Sequence, residues 1–281
     1  MSKINASDKG YALGHSKEEL ERLEKHAKFY SESTHNFLVS AGITKGMRVL
    51  DFGAGAGDTA ILISELVGES GQVIAVDRSA EALEWTKHRM ANRGIKNVAT
   101  LVGDEYRLAE VFQANKVDAV VTRLVLIFQK DLFATFGKLV ENVRPGGIVA
   151  FQEPDLESGP WARPALPLMA KVYGWFTQIY TAAGMHIDIG IQLSRVFDQA
   201  GIQARHIVRQ GVIESGPDAT GYHIYADFIR TALPIIQKNN IATPEEIELE
   251  TLYSRLRDEA IAYQAFLTPF YFAYAYGRMP A

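Results

Sequence analysis

The chain has no cysteine among its 281 residues. Disulfides, thiolate-held metal sites and cysteine nucleophiles are therefore excluded, and redox chemistry marks no compartment. Strong charge imbalance is missing too: 29 Lys and Arg face 33 Asp and Glu, for a net charge of -4. No stretch gathers enough Lys and Arg to neutralise a phosphate backbone, so nucleic acid is not expected as a partner. No run of about eighteen apolar residues occurs, and the opening "MSKINASDKG" has no apolar signal core. These absences predict a soluble, cytoplasmic protein with no membrane partner. No internal repeat, low-complexity tract or Pro-, Gly- or Ser-rich linker divides the chain into independent domains.

What is present is a chain that is 47% hydrophobic, enough for one large α/β domain or a core domain with a smaller cap. "SKEEL" at 16–20 is a Ser-x-x-Glu capping box, and Leu20, Leu23, Ala27 and Tyr30 follow at helical spacing. From Met47 the rhythm changes. "MRVLDFG", "GQVIAVD", "KNVATLVGD", "VDAVVT" and "GGIVAFQE" are short apolar runs separated by helical stretches, which predicts a parallel sheet wrapped by helices. Ser79 is the expected N-cap of a helix to about Arg93, Gly94 ends it, and "RPGG" at 144–147 is the turn before a fifth strand.

The composition shifts after residue 153: 18 of the 29 aromatic residues lie from Phe151 onward. Many fall in two helical stretches, roughly 161–183 and 222–266. "TPEE" at 243–246 is a second capping box and predicts a long helix through Ala262. "QARHIVRQGVIE" and "PFYFAYAYGR" read as two more strands. The expected fold is α/β and Rossmann-like: a seven-stranded, mostly parallel sheet, helices on both faces and a helical cap built from insertions. The expected organisation is an N-terminal helical segment over the pocket (1–44), a nucleotide-type core (45–153), and remaining strands with insertions at 154–190 and 220–266 (154–281).

The chemistry centres on "VLDFGAGAGD" at 49–58, a strand, three alternating glycines and a helix start. Gly53, Gly55 and Gly57 leave backbone N–H groups open to a ligand. A dinucleotide fingerprint needs a third glycine where Asp58 stands, and a phosphate-binding Walker loop needs a lysine that is absent. Asp51 and Asp58 would also repel a pyrophosphate. Asp77 ends the second apolar run, where a carboxylate can accept from both ribose hydroxyls, and Asp104 in "VGDEYRL" can accept from an adenine amino group. A ligand with adenine, ribose and a zwitterionic end fits these residues, and S-adenosylmethionine has that shape.

In this order the motifs resemble those of the class I S-adenosylmethionine-dependent methyltransferases, in the small-molecule branch typified by ubiquinone and menaquinone biosynthesis methyltransferases. "VLDFGAGAGD", "AVDRS", "GDEYRL" and "RPGGIVAFQEPD" carry the resemblance over about residues 45–153. It implies S-adenosylmethionine contacts at Gly53, Gly55, Asp77, Arg78, Asp104, Glu105, Thr122, Arg123 and Leu124, and Asp51, Ala54 and Gly103 beside them are further cofactor-binding candidates. Tyr11 is a further candidate if the N-terminal segment folds over the pocket. The family often has a histidine after the fourth strand, whereas this chain continues as "IFQKD".

The implied activity is methyl transfer to O, N or C of a small apolar or aromatic metabolite by in-line displacement, with no metal. An alcohol or carbon acceptor would need a base, and His186, two residues before Asp188, and Glu153 at the fifth strand's carboxyl end are the candidates. Tyr180, Trp175 and His223 are candidate acceptor-binding residues, and the aromatic C-terminal helices could also serve a homodimer. Two alternatives stand beside this reading. One is a protein of the same fold that uses the cofactor non-catalytically or for another reaction; the other, less favoured, is an NAD(P)-dependent oxidoreductase.

Overall fold

The computed structural model describes residues 17–112, 115–202 and 205–281. In chain order its elements are α1 (Lys17–Ala41), β1 (Arg48–Phe52), α2 (Asp58–Val67), β2 (Gln72–Asp77), α3 (Ala80–Asn92), β3 (Val98–Val102) and α4 (Glu105–Phe112). Then come β4 (Val117–Arg123), a short 3-10 turn (Leu126–Phe128), α5 (Leu132–Val140), β5 (Val143–Asp155), β6 (Trp161–Arg163), α6 (Pro167–Ala182) and α7 (Ile189–Gln199). The chain closes with β7 (Arg205–Gly211), β8 (Glu214–Ser215), α8 (Gly221–Asn239), α9 (Pro244–Ile247), α10 (Leu249–Ala262), β9 (Phe266–Thr268) and β10 (Tyr271–Arg278).

Seven strands form one sheet in the order β3-β2-β1-β4-β5-β10-β7. The β3-β2, β2-β1, β1-β4 and β4-β5 pairings are parallel. This is the Rossmann-like, mostly parallel sheet that the alternation of short apolar runs and helices predicts. Its inner strands are apolar on both faces because helices cover both: Val49, Leu50, Ala119, Val120, Val149 and Ala150 are fully buried. Phe151 packs edge-on against Phe136 and Phe197, at 5.1 and 6.0 Å between centroids.

The helix starts follow local chemistry. Ser79 accepts from the Ala82 N–H at 3.1 Å and begins α3, while Gly94, at φ 68°, lies just past its end. The capping box at 243–246 also forms, yet the long helix expected from it is interrupted. Glu248 adopts a left-handed conformation (φ 43°), so α9 is one turn and a new helix starts at Leu249. The stretches expected to be helical from 161 and up to 266 likewise begin and end in strands, β6 and β9. "QARHIVRQGVIE" divides between two sheets, β7 in the large one and β8 in a three-stranded sheet ordered β6-β9-β8.

The chain forms two compact units. The first takes the chain to Glu153 with Ile191–Val208 and Tyr274–Ala281; the second comprises Pro154–Gly190 and Arg209–Ala273. In the second unit Phe176 lies among aromatic neighbours: Tyr180 and Phe228 at 4.8 and 4.1 Å, Phe270 at 5.1 Å and Tyr173 at 5.9 Å. Among the described residues no helix is long and apolar enough to cross a membrane.

Candidate functional site

Sheet topology alone locates a crevice in the first unit. From β1 the strand order runs outward to β2 and β3, and from β4 it runs the other way to β5. The loops leaving β1 and β4 diverge at this switch point, and open parallel sheets bind ligands there, beyond the carboxyl ends of the strands. The β1 loop holds the three glycines, all with positive φ: 74° at Gly53, 52° at Gly55 and 84° at Gly57. Their surroundings differ. A Cβ on Gly53 would lie 2.3 Å from Val125 Cγ2, and one on Gly57 would lie 2.7 Å from Thr86 Cγ2, so these two let neighbouring elements close. Around Gly55 a Cβ would meet nothing within 4 Å, so its side of the loop is open.

Acidic side chains shape the loop. One Asp77 oxygen accepts from Gly55 N–H at 2.8 Å and the other from Ser79 N–H at 2.9 Å. Thr86 donates to the Gly55 carbonyl at 2.9 Å. Asp58, the first residue of α2, favours the helix N-terminus electrostatically and accepts from Arg89 at 2.8 Å. Arg123, at the end of β4, lies 3.8 Å from the other Asp58 oxygen. Asp51 is 1% exposed. Burial pushes its carboxyl up to about 7; Asp77 and Asp58 add to the rise, and Arg123 opposes it.

Two buried polar atoms around this crevice have no hydrogen-bond partner among the described residues: Asp51 Oδ2 and Arg123 Nη1. Buried polar groups are costly when unpaired, so a cluster of them at a switch point marks a place built for a polar ligand. Leu124 adds backbone strain, with φ 58° in a residue that rarely adopts it.

After β3, Asp104 Oδ1 accepts from Tyr106 and Arg107 N–H groups, each at 3.2 Å, and so caps α4. Glu105 is buried and pairs with Arg78 at 2.7 Å. Gly103 donates to the Asp77 carbonyl at 2.9 Å, and Ala54 to the Val76 carbonyl at 3.0 Å. The first unit therefore brings together Asp51, the glycine loop with Ala54, Asp77, Thr122, Arg123 and Leu124, with Arg78, Gly103, Asp104 and Glu105 along the β2 and β3 ends. Tyr11 lies outside the described residues.

Glu153 is fully buried and accepts three backbone hydrogen bonds, from Val125 (3.1 Å), Leu126 (2.9 Å) and Ile127 (3.3 Å). Burial pushes its carboxyl up to about 7 against the pull of those three N–H groups. Its two oxygens thus hold the turn after β4, whose Val125 packs on Gly53. His186 belongs to the second unit, is half-buried, and its carbonyl accepts from Ile189. There too, Tyr180 stacks between Phe176 and Phe228, Trp175 is buried with Lys171 5.4 Å from its ring, and exposed His223 stacks on Tyr253 at 4.1 Å.

Sequence reasoning missed Thr86 and Arg89, which reach the glycine loop from α3, and Gln129, which lies 3.4 Å from Arg78. Thr86 and Arg89 are three residues apart on one helix face, a spacing that signals a shared face but not what it touches.

A family model for a methyltransferase domain matches residues 43–210. A demethylmenaquinone methyltransferase from Staphylococcus aureus is 30% identical over 135 residues, 48% of this chain and 52% of that protein. The match thus spans about half the length of the curated relative. Among solved structures, the YcgJ protein from Bacillus subtilis superposes with a TM-score of 0.57 at 16% identity, covering 89% of this chain and 99% of that one. Phosphoethanolamine N-methyltransferase 2 from Haemonchus contortus, solved with S-adenosylhomocysteine, gives 0.56 at 17% identity, covering 89% and 53%. These two likenesses concern the fold, whereas the family model covers more than half of the chain. The chain belongs to the methyltransferase-domain family, whose cofactor is S-adenosylmethionine.

Proposed function

We propose that the protein transfers a methyl group from S-adenosylmethionine to O, N or C of a small apolar or aromatic metabolite. The observation that carries this reading is the switch-point crevice, with its open Gly55 and two buried polar atoms, Asp51 Oδ2 and Arg123 Nη1, that have no partner among the described residues. A sulfonium-bearing amino acid joined to adenosine matches the donor set there: carboxylates for a cationic end and for ribose hydroxyls, and a guanidinium for a carboxylate.

In this reading Asp51 accepts from the cofactor's ammonium group and Arg123 Nη1 donates to its carboxylate. Asp77 keeps its bonds to Gly55 and Ser79 and uses its remaining lone pairs for the ribose. Asp104, whose Oδ1 caps α4, turns Oδ2 to the adenine amino group beside Arg78 and Glu105. Ala54 and Gly103 offer backbone surface, Thr122 and Leu124 border the crevice, and Tyr11 would add a contact from the N-terminal segment. When bound, the cofactor would supply a methyl group activated on a sulfonium, with a neutral thioether as the leaving group. The protein's task is alignment and exclusion of water.

Glu153 acts here by position, holding the turn after β4 against Gly53. His186 is the candidate base for acceptors that must lose a proton, and Tyr180, with Trp175 and His223, belongs to the aromatic unit that takes the acceptor. Titration of the purified chain with S-adenosylmethionine, S-adenosylhomocysteine and NADH tests the reading. Micromolar binding of the first two and none of NADH is expected, followed by S-adenosylhomocysteine release with a phenolic or quinol-type acceptor panel. Binding of NADH alone would overturn it.

A further inference from the structure

Where β5 ends, in the second unit, a buried carboxylate holds an arginine that the methyl-transfer reading has not used. Asp155 is 6% exposed. It accepts from Ser158 Oγ at 2.6 Å and from Ser158 N–H at 3.3 Å, and its Oδ2 lies 2.6 Å from Arg209 Nε. The Arg209 guanidinium carbon sits 3.7 Å from the Tyr271 ring centroid, so one face of the group is taken by the ring and one edge by Asp155. Its side chain is nonetheless 46% exposed.

We propose that Arg209, stacked on Tyr271 and oriented by Asp155, reads a carboxylate on the methyl acceptor, an inference that rests on the reading of the protein as a small-molecule methyltransferase. A guanidinium carries five N–H donors in a flat fork, and a carboxylate matches two of them side by side. Here Asp155 occupies the Nε edge and Tyr271 one face, while nearly half of the side chain stays exposed. A surface ion pair made for stability would need neither a buried carboxylate nor an aromatic shelf, and exposed pairs contribute little.

The neighbourhood suits an aromatic acid. Tyr173 donates to the Leu156 carbonyl at 2.7 Å and stacks with Phe176, which stacks in turn with Tyr180. The Tyr173 phenol is held well above its ordinary pKa by burial first, then by Asp155 and Tyr180, with Arg209 opposing. The aromatic cluster, whose half-buried member is Tyr180, and the cationic corner therefore belong to one neighbourhood, and an aryl carboxylate carries a group of each kind.

The test uses the full chain saturated with S-adenosylhomocysteine and follows 4-fluorobenzoate and its neutral isostere 4-fluorobenzamide by ligand-observed fluorine NMR. The acid is expected to bind at least ~10-fold tighter than the amide, since charge-assisted pairs are among the stronger hydrogen bonds. Arg209→Gln should abolish that preference, Arg209→Lys should keep part of it, and Tyr271→Leu should weaken it ~3–10-fold by removing the shelf. Arg257→Gln, on an exposed helix face, serves as the control and should change nothing.

Equal binding of acid and amide to the unaltered chain would overturn the proposal, as would an undiminished preference in both Arg209→Gln and Tyr271→Leu. Displacement by inorganic phosphate at lower concentration than by benzoate would also overturn it, in favour of a tetrahedral oxyanion. S-adenosylhomocysteine affinity, measured on every variant, reports folding. It also separates this proposal from the reading beneath it: cofactor binding without carboxylate preference sinks the former alone, and absent cofactor binding sinks the latter.

Discussion

The glycine crevice of the first unit and the aromatic cluster of the second solve opposite problems. The crevice keeps polar atoms unpaired and backbone in unusual conformations: Asp51 Oδ2 and Arg123 Nη1 have no partner among the described residues, and Leu124 sits at φ 58°. The aromatic cluster is rings packed on rings, and its buried hydroxyls are satisfied, Tyr173 on Leu156 and Tyr225 on Pro269. Binding to a strained, under-bonded site repays a cost already present in the fold, so ligand identity there is tightly specified. A ring cluster repays little on binding and specifies shape loosely.

The comparison breaks first if the crevice tolerates loss of its internal support. Glu153→Leu would strand three buried N–H donors, at ~1–3 kcal/mol each. Urea unfolding should show a loss of about 3–5 kcal/mol, and cofactor affinity should fall in whatever protein remains folded. Glu153→Gln keeps an acceptor for part of the turn and should lose roughly half as much. A silent Glu153→Leu would show that the turn after β4 needs no such support.

The glycines give a sharper contrast. In Gly53→Ala a new Cβ meets Val125 at 2.3 Å and φ stays at 74°, so a loss of ~2–4 kcal/mol is expected. Gly55→Ala has open space at φ 52° and should cost only ~1 kcal/mol of stability. If its open side is where the cofactor lies, however, affinity for S-adenosylhomocysteine should fall by ~10-fold or more. Stability and affinity would then separate at positions two residues apart, and calorimetry checks both.

Proton linkage tests the same unit. Asp51 and Glu153 have folded-state values raised to about 7, above ordinary values of 3.8 and 4.5. Between about pH 4 and 7 the folded chain holds protons that the unfolded chain has released, so stability falls as pH rises through that window and levels off above it. Each group contributes a slope of at most ~1.4 kcal/mol per pH unit. Asp51→Asn and Glu153→Gln should each flatten the curve. A cationic ligand group at Asp51 favours its ionised form, so cofactor affinity should tighten from pH 6 to pH 8 and lose that dependence in Asp51→Asn.

Much of the first unit was legible because its signals are local. Strand-sized apolar runs, the glycine spacing, Asp77 at a strand end and Ser79 at a helix start each act within a few residues, and each recurs in the structure. Thr86, Arg89 and Gln129 were not legible, because they reach the crevice through tertiary packing that no spacing encodes. Glu153 was legible as a carboxylate at a strand end, but its three backbone partners follow from how β4 and β5 lie side by side. In the second unit the capping box at Thr243 was read correctly, while the break at Glu248 was not, since glutamate carries no preference for the left-handed region. The split of 205–215 between two sheets likewise depends on which edges were free to pair.

The smallest expected effects on cofactor binding lie in the second unit. His223 is exposed and stacks on Tyr253, so His223→Ala should change stability by no more than ~0.5 kcal/mol. Tyr180 is half-buried between Phe176 and Phe228, and Tyr180→Leu removes both stacks at ~1–2 kcal/mol. Both residues belong to the second unit and the glycine loop to the first, and S-adenosylhomocysteine affinity should stay within ~2-fold of the unaltered chain. Acceptor turnover at fixed cofactor should nonetheless fall in Tyr180→Leu, as a rise in KM for the acceptor rather than for the cofactor. A rise in cofactor KM instead would show that the aromatic unit also shapes the donor site, and the division between a tightly specified crevice and a loosely specified ring cluster would not hold.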